Sequence, residues 1–134
     1  MNDTIELLEQ AIWGEPDRRA SYLVQQCHLL RKKELSAFTA EDYRLLLGQN
    51  IALEILVPRV LEFLKANPFV SGDFYEGDLL NTLLQIESGY WLSHPEHKAA
   101  LIALFEANQP ALDELELTKR IKESMRNAYE QLRR

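Results

Sequence analysis

Residues 51–66, with the sequence IALEILVPRVLEFLKA, constrain the fold more than any other stretch of the chain. When they are placed on a helix, apolar side chains cover most of its sides. A helix of this kind has to bury several faces, so we expect it at the centre of a helical bundle. Pro58 cannot donate to the carbonyl of Glu54, and this predicts a kink in the helix at that turn.

The remaining segments also follow helical periodicity. Apolar residues recur at spacings of three and four, and no alternating run of β-branched residues indicates a strand. The 134 residues are therefore predicted to form one all-α domain, residues 1–134, folded as a single-domain helical bundle of about six to seven helices. Besides 51–66, we place helices at about residues 3–13, 17–32, 39–48, 77–86, 93–107 and 111–132, with a short connector after residue 86.

Local signals mark several of these helix ends. Thr39 and Asp42 have the spacing of a capping box, in which the side chain of each accepts from the backbone of the other. Pro16 and Pro110 suit the first turns of the second and the last helix. Asn50 is placed to cap the helix that begins at about residue 51.

The charge of the chain is concentrated in its middle. The formal net charge is −6, and residues 34–96 contain ten acidic and three basic residues, whereas the flanking segments are close to neutral. Binding to nucleic acid needs a basic surface that faces the phosphates. The charge distribution therefore argues against a nucleic-acid ligand and favours a cationic protein partner, or solubility alone.

Three features predict a cytoplasmic protein without a membrane segment. The single cysteine, Cys27, cannot form an internal disulfide, in keeping with a reducing compartment. No apolar run approaches the roughly 18 residues that a membrane span requires. The acidic, amphipathic N-terminus MNDTIELLEQ does not resemble a signal peptide.

The sequence contains no catalytic motif that we can identify. His94 and His97 are three residues apart, but no Cys, Asp and His set completes a zinc site around them. Cys27 and His28 are adjacent, and neighbouring residues on a helix point in different directions. Phosphate-binding, nucleophile-elbow and zinc-protease motifs are all missing. We predict that the protein is not an enzyme and uses neither a metal nor a cofactor.

Residues 69–86, FVSGDFYEGDLLNTLLQI, are the segment most suggestive of function. Three carboxylates, Asp73, Glu76 and Asp78, and two aromatic residues, Phe74 and Tyr75, precede an apolar run. In one interpretation this is a glycine-containing loop whose carboxylates lie near the positive end of the following helix. In the other it is an acidic, aromatic recognition surface on an ordered loop. The two interpretations are compatible.

Two blocks of sequence resemble a known family. They are LLRKKELSAFTAEDYRLLLGQNIALEILVP, starting at Leu29, and GDFYEGDLL, starting at Gly72. Together they are similar to the immunity proteins of bacterial contact-dependent growth inhibition (CDI) systems that share the patterns L-R-x-K-x-L-S-x-F-T-x-E-D-x-R and G-D-F-Y-x-G-D-L-L. The similarity covers about residues 29–84. Tyr43 and Glu76 depart from residues typical of these patterns.

This resemblance implies a protein inhibitor of a toxin. A member of the family binds the C-terminal toxin domain of a CDI effector and neutralises it; here we expect a monomer that binds one-to-one, and a nuclease as the toxin. An acidic surface suits the basic cleft of a nuclease, because opposite charges accelerate association. The alternative is an acidic helical regulatory adaptor that blocks a host nucleic-acid-binding protein.

As a hypothesis, we place the toxin contacts on the acidic and aromatic residues of the two blocks, with two further aromatic residues at the edge. The predicted contact residues are Glu41, Asp42, Asp73, Phe74, Tyr75, Glu76 and Asp78, with Tyr90 and Trp91 at the edge. The opposite arrangement is also open: the GDFYEGD stretch maintains the fold, and the contacts lie on other parts of the chain.

Overall fold

The structure is a computed structural model that describes residues 3–134. Within this range it is all-α, which confirms the predicted fold class. The eight α-helices of this range are α1 (Ile5–Glu9), α2 (Tyr22–Leu30), α3 (Ala40–Gly48), α4 (Leu53–Ala66), α5 (Asp78–Leu84), α6 (Ser88–Ser93), α7 (Pro95–Glu114) and α8 (Lys119–Arg133). Across residues 3–134, no helix is both long and apolar enough to cross a membrane.

The centre of the bundle is α5, whereas the sequence pattern favoured residues 51–66. Six of the seven α5 residues are buried, and α5 packs between α3 and α8. The α4 helix packs on α3 and α7 through one fully buried side, which includes Leu56, Val60 and Leu64. Its opposite side, with Glu54 and Glu62, faces solvent. A short helix can therefore be more deeply buried than a longer one, because burial depends on how much of the helix surface its neighbours cover.

Side-chain hydroxyl groups cap the N-termini of four helices. The capping box predicted for α3 is confirmed: Thr39 Oγ1 accepts from the backbone N–H of Asp42 at 3.2 Å, and Asp42 Oδ2 accepts from that of Thr39 at 3.0 Å. Thr4, Ser21 and Thr118 cap α1, α2 and α8 in the same way with their side-chain oxygens. These side chains pair backbone N–H groups that have no partner within the helix.

The first two helices are shorter than predicted. Pro16 does not begin a helix, because residues 10–21 form a loop between α1 and α2. The buried side chain of Arg31 fastens this loop. Its guanidinium donates to Glu9 at 2.5 Å and to the carbonyl of Ala11 at 2.8 Å, and lies 4.1 Å from the centre of the Trp13 ring. These contacts join residues about 20 positions apart, so helical periodicity does not reveal them.

Three other boundaries differ from the predictions. Residues 88–93, expected to be a connector, form α6. Pro110 does not begin a helix but lies inside α7, which continues to Glu114. Asn50 does not cap α4; instead its Oδ1 accepts from the backbone N–H of Glu87 at 2.9 Å and ties the start of α4 to the start of α6.

Candidate functional site

Residues 71–77, which we call the acidic loop, form a tight turn that leads into α5. Ser71 and Glu76 pair as an antiparallel bridge, and the N–H of Gly77 donates to the carbonyl of Phe69 at 3.0 Å. Gly77 has a φ of 85°, a left-handed conformation that glycine adopts without steric cost. The loop is therefore closed at its base by backbone bonds.

Asp78, the first residue of α5, holds the acidic loop from the inside. Its side chain is 2% exposed, and its Oδ1 accepts from the N–H of Gly72 at 2.6 Å. Its Oδ2 accepts from the N–H of Phe74 at 3.1 Å. Hydrogen bonds to a carboxylate are stronger than those between neutral groups. The Asp78 carboxylate therefore stabilises the loop and has little exposed surface with which to contact a partner.

Glu41 on α3 holds the same loop from the other side. Its Oε1 accepts from the N–H of Asp73 at 2.9 Å, and its carboxylate also accepts from Arg44 Nε at 2.6 Å and Nη2 at 2.5 Å. The side-chain hydrogen bond with Arg44 is the main cause that lowers the pKa of Glu41, and the N–H of Asp73 lowers it further. A carboxylate on α3 and another on α5 therefore converge on the backbone of one short loop.

Position 72 requires glycine because the carboxylates of Glu41 and Asp78 lie against the backbone there. A Cβ atom at this position would lie 2.5 Å from Glu41 Oε1 and 3.1 Å from Asp78 Oδ2. The first distance is shorter than any normal van der Waals contact, so a larger residue would push Glu41 away from the loop. The glycine of the G-D-F-Y pattern thus has a steric explanation in this structure.

Phe74 is presented to solvent by this network. Its side chain is 70% exposed, and the guanidinium carbon of Arg44 lies 4.4 Å from the centre of its ring. That distance is typical of a cation–π contact. Asp73 and Glu76 on either side are exposed, and within residues 3–134 neither carboxylate accepts a hydrogen bond or forms an ion pair. The outer surface of the loop is therefore an aromatic ring flanked by two free carboxylates.

Two further predicted contact residues, Tyr75 in the acidic loop and Asp42 on α3, already accept side-chain hydrogen bonds within the protein. Tyr75 is half-buried, and its hydroxyl accepts from Asn81 Nδ2 at 2.9 Å. Asp42 Oδ2 accepts from Lys33 Nζ at 2.6 Å as well as from the α3 capping box. Both residues support the elements that carry the exposed ring.

Tyr90 and Trp91 do not lie at the edge of an exposed surface, where we had expected them. Each is 5% exposed and belongs to α6, where their rings meet edge-on at 5.3 Å. The Tyr90 hydroxyl is 2.8 Å from His97 Nδ1. Burial is the main cause that raises the pKa of Tyr90 to about 12, with the nearby charges of Glu54 and Glu96 adding to it. Both aromatic residues are core side chains, because the presumed connector is a packed helix.

The rings of His94 and His97 form a stack with the ring of Tyr90. The two imidazoles are parallel at a centroid distance of 5.4 Å, and the His94 ring lies 4.1 Å from that of Tyr90. Over residues 3–134, no group of three or more His, Cys, Asp or Glu residues is arranged to hold a metal ion.

Arg44 also belongs to this candidate site, although it was not among the residues predicted from the sequence. It joins Glu41, Phe74 and, at 3.9 Å from its Nε, Asp78. Its position three residues after Glu41 was an available signal, since residues at that spacing are neighbours on a helix. Its contact with Phe74 was not, because the two residues are far apart in sequence.

Comparison with known proteins identifies the family. The family model described as CDI immunity proteins matches residues 7–101, which begin within α1 and end within α7. The match includes the acidic loop and extends on both sides of the two blocks noted in the sequence. No individually curated protein matches the chain. Because the family model covers most of its length, the chain belongs to the CDI immunity proteins.

Proposed function

We propose that this protein neutralises its cognate CDI toxin by binding the toxin domain one-to-one through the outer surface of the acidic loop. One observation carries the choice of surface: Phe74 is 70% exposed on a loop that is fixed from both sides. An exposed aromatic side chain on a rigid support resembles the residues that dominate binding energy in protein interfaces. Membership of the immunity family favours this function over a regulatory adaptor.

The rigidity of the loop favours affinity. Binding usually costs free energy because loops and side chains at an interface become ordered. Here three backbone N–H groups, those of Gly72, Asp73 and Phe74, are already bonded to side chains of α3 and α5. The Arg44 guanidinium also packs against the Phe74 ring in the unbound protein. Little ordering remains to be done when the toxin binds.

The charges indicate the kind of surface that the toxin presents. Of the five carboxylates predicted to contact it, Glu41, Asp42 and Asp78 already accept hydrogen bonds from Arg44, Lys33 or the loop backbone. Asp73 and Glu76 remain free for intermolecular pairing. A partner that fits has an apolar pocket for Phe74 with cationic groups at its rim. The basic cleft of a nuclease would supply such cationic groups, and a nuclease is the toxin class that we propose.

The test is calorimetry between this protein and the toxin domain encoded with it, at low and moderate salt. Phe74→Ala is expected to weaken binding at least about 30-fold, equivalent to about 2 kcal/mol. Tyr22→Ala is the matched control, because Tyr22 is another aromatic residue with a similar exposed fraction, 76% against 70% for Phe74. We expect it to leave the affinity unchanged. Changing both Asp73 to Asn and Glu76 to Gln should slow association and reduce its salt dependence.

The possible results distinguish an error in the proposed function from an error in the proposed contact surface. If the wild-type protein does not bind the toxin domain, the proposed function is refuted. If it binds tightly but Tyr22→Ala weakens binding and Phe74→Ala does not, the function stands and the acidic loop is not the contact surface. The exposed apolar residues of the N-terminal region, which include Leu7, Ile12 and Tyr22, would then be the interface to examine.

A further inference from the structure

A cavity of about 580 Å³ lies at the end of α5 opposite the acidic loop. It is bounded by the end of α5 and the residues that follow it, by α6, by Lys98 of α7 and by α8 from Ser124 onward. Leu84, Ile86 and Leu132 give it an apolar floor, and Gln85 and Asn127 contribute amide groups. Its volume is within the roughly 300–1,000 Å³ that is usual for small-molecule sites. None of its lining residues belongs to the proposed toxin-binding surface.

The charge of the cavity is opposite to that of the protein. The chain has 21 acidic and 15 basic residues. Among the described residues, its lining contains the basic side chains Lys98 and Arg134 but no acidic side chain. Lys98 is half-buried and takes part in none of the ion pairs formed within residues 3–134. In an acidic protein, such a lining favours an anionic ligand.

The same lining includes a buried donor that lacks a partner. Trp91 is 5% exposed, and its indole Nε1 has no hydrogen-bond acceptor within residues 3–134. Buried N–H groups in native proteins are nearly always paired, because leaving one unpaired is costly. The nitrogen itself is inaccessible to solvent, so the Trp91 ring lines the cavity with its Nε1 atom turned away from the open space. The adjacent Leu92, which also lines the cavity, is 80% exposed and adds apolar surface.

We propose that this cavity binds a small amphipathic carboxylate. The apolar tail of the ligand lies on the floor formed by Leu84, Ile86 and Leu132, and its carboxylate pairs with Lys98. This site goes beyond toxin neutralisation and does not depend on it.

The two tryptophans of the chain make a direct test feasible. We would titrate the ¹⁵N-labelled protein with decanoate and follow the two indole N–H resonances by NMR, assigned with a Trp13→Phe variant. The Trp91 resonance is expected to shift in a saturable manner. Trp13, which packs against Arg31 and His28 in the N-terminal region, serves as the internal reference and should not shift.

Decanol, which is neutral and has the same tail, should bind about fivefold more weakly than decanoate, as the loss of one ion pair implies. Lys98→Gln should remove this preference. Lys119→Gln, which changes a lysine whose side chain is 89% exposed outside the cavity, should retain it. The proposal is overturned if the Trp91 resonance shows no saturable shift, or if both indole resonances move together. It is also overturned if decanoate and decanol bind equally well.

Discussion

The substitution Asp78→Asn tests whether the acidic loop is held by a buried carboxylate. In the wild-type protein this carboxylate accepts from the backbone N–H groups of Gly72 and Phe74. A hydrogen bond to a charged group contributes about 1.5–3 kcal/mol. Asparagine retains one acceptor oxygen but places an amide NH₂ against the other N–H group. We therefore expect the free energy of unfolding to fall by about 2–4 kcal/mol. The corresponding fall in Tm is roughly 10 °C.

Asp73→Asn is the matched control for this experiment. It makes the same chemical change within the acidic loop, but the Asp73 side chain is exposed and only its backbone N–H is bonded, to Glu41. Its effect on the free energy of unfolding should be within about 0.5 kcal/mol. Urea unfolding followed by circular dichroism measures both variants. Equal unfolding midpoints for Asp78→Asn and the wild-type protein would refute the structural role assigned to Asp78.

Four further predictions concern the stability of the fold. Gly77→Ala should destabilise the protein by about 1–2 kcal/mol, because alanine is strained at a φ of 85°. Gly89→Ala, at a helical position where a Cβ meets nothing within 4 Å, should be neutral or stabilising by about 0.5–1 kcal/mol. Thr39→Ala removes the α3 cap and should cost about 1 kcal/mol of unfolding free energy. The pKa of Glu41 is lower in the folded state than its usual value of 4.5. The ionised Glu41 carboxylate therefore stabilises the fold at pH values above 4.5, and this stabilisation is lost as the pH falls through the folded-state pKa.

Urea titrations measure each of these. The glycine comparison fails if Gly77→Ala is no more destabilising than Gly89→Ala. An unchanged midpoint for Thr39→Ala would contradict the observed cap. For Glu41 the quantity to follow is the difference in unfolding free energy between wild type and Glu41→Gln, from pH 6 down to pH 3. This difference should shrink with falling pH, and a difference that stays constant would show that the Glu41 carboxylate does not stabilise the folded state.

The sequence by itself determined the features that depend on neighbouring residues. Helical spacing of apolar residues predicted an all-α domain, because the period of a helix is visible within two or three turns. The α3 capping box was predictable because its partners, Thr39 and Asp42, are three residues apart. The GDFYEGD stretch was recognised as the segment that precedes a helix, since its glycines and carboxylates have well-defined local preferences.

The tertiary structure decided which of these residues are buried. Asp73 and Asp78 are the same residue type in one short motif, yet the first faces solvent and the second is enclosed. Tyr90 and Trp91 were predicted to lie at the edge of the contact surface but pack in the core. In each case the outcome depends on which distant elements surround the side chain, as when Glu41 accepts from the N–H of Asp73, 32 residues further along the chain. Periodicity and local propensity contain no information about such contacts, so burial, and with it the available binding surface, emerges only when the helices have packed.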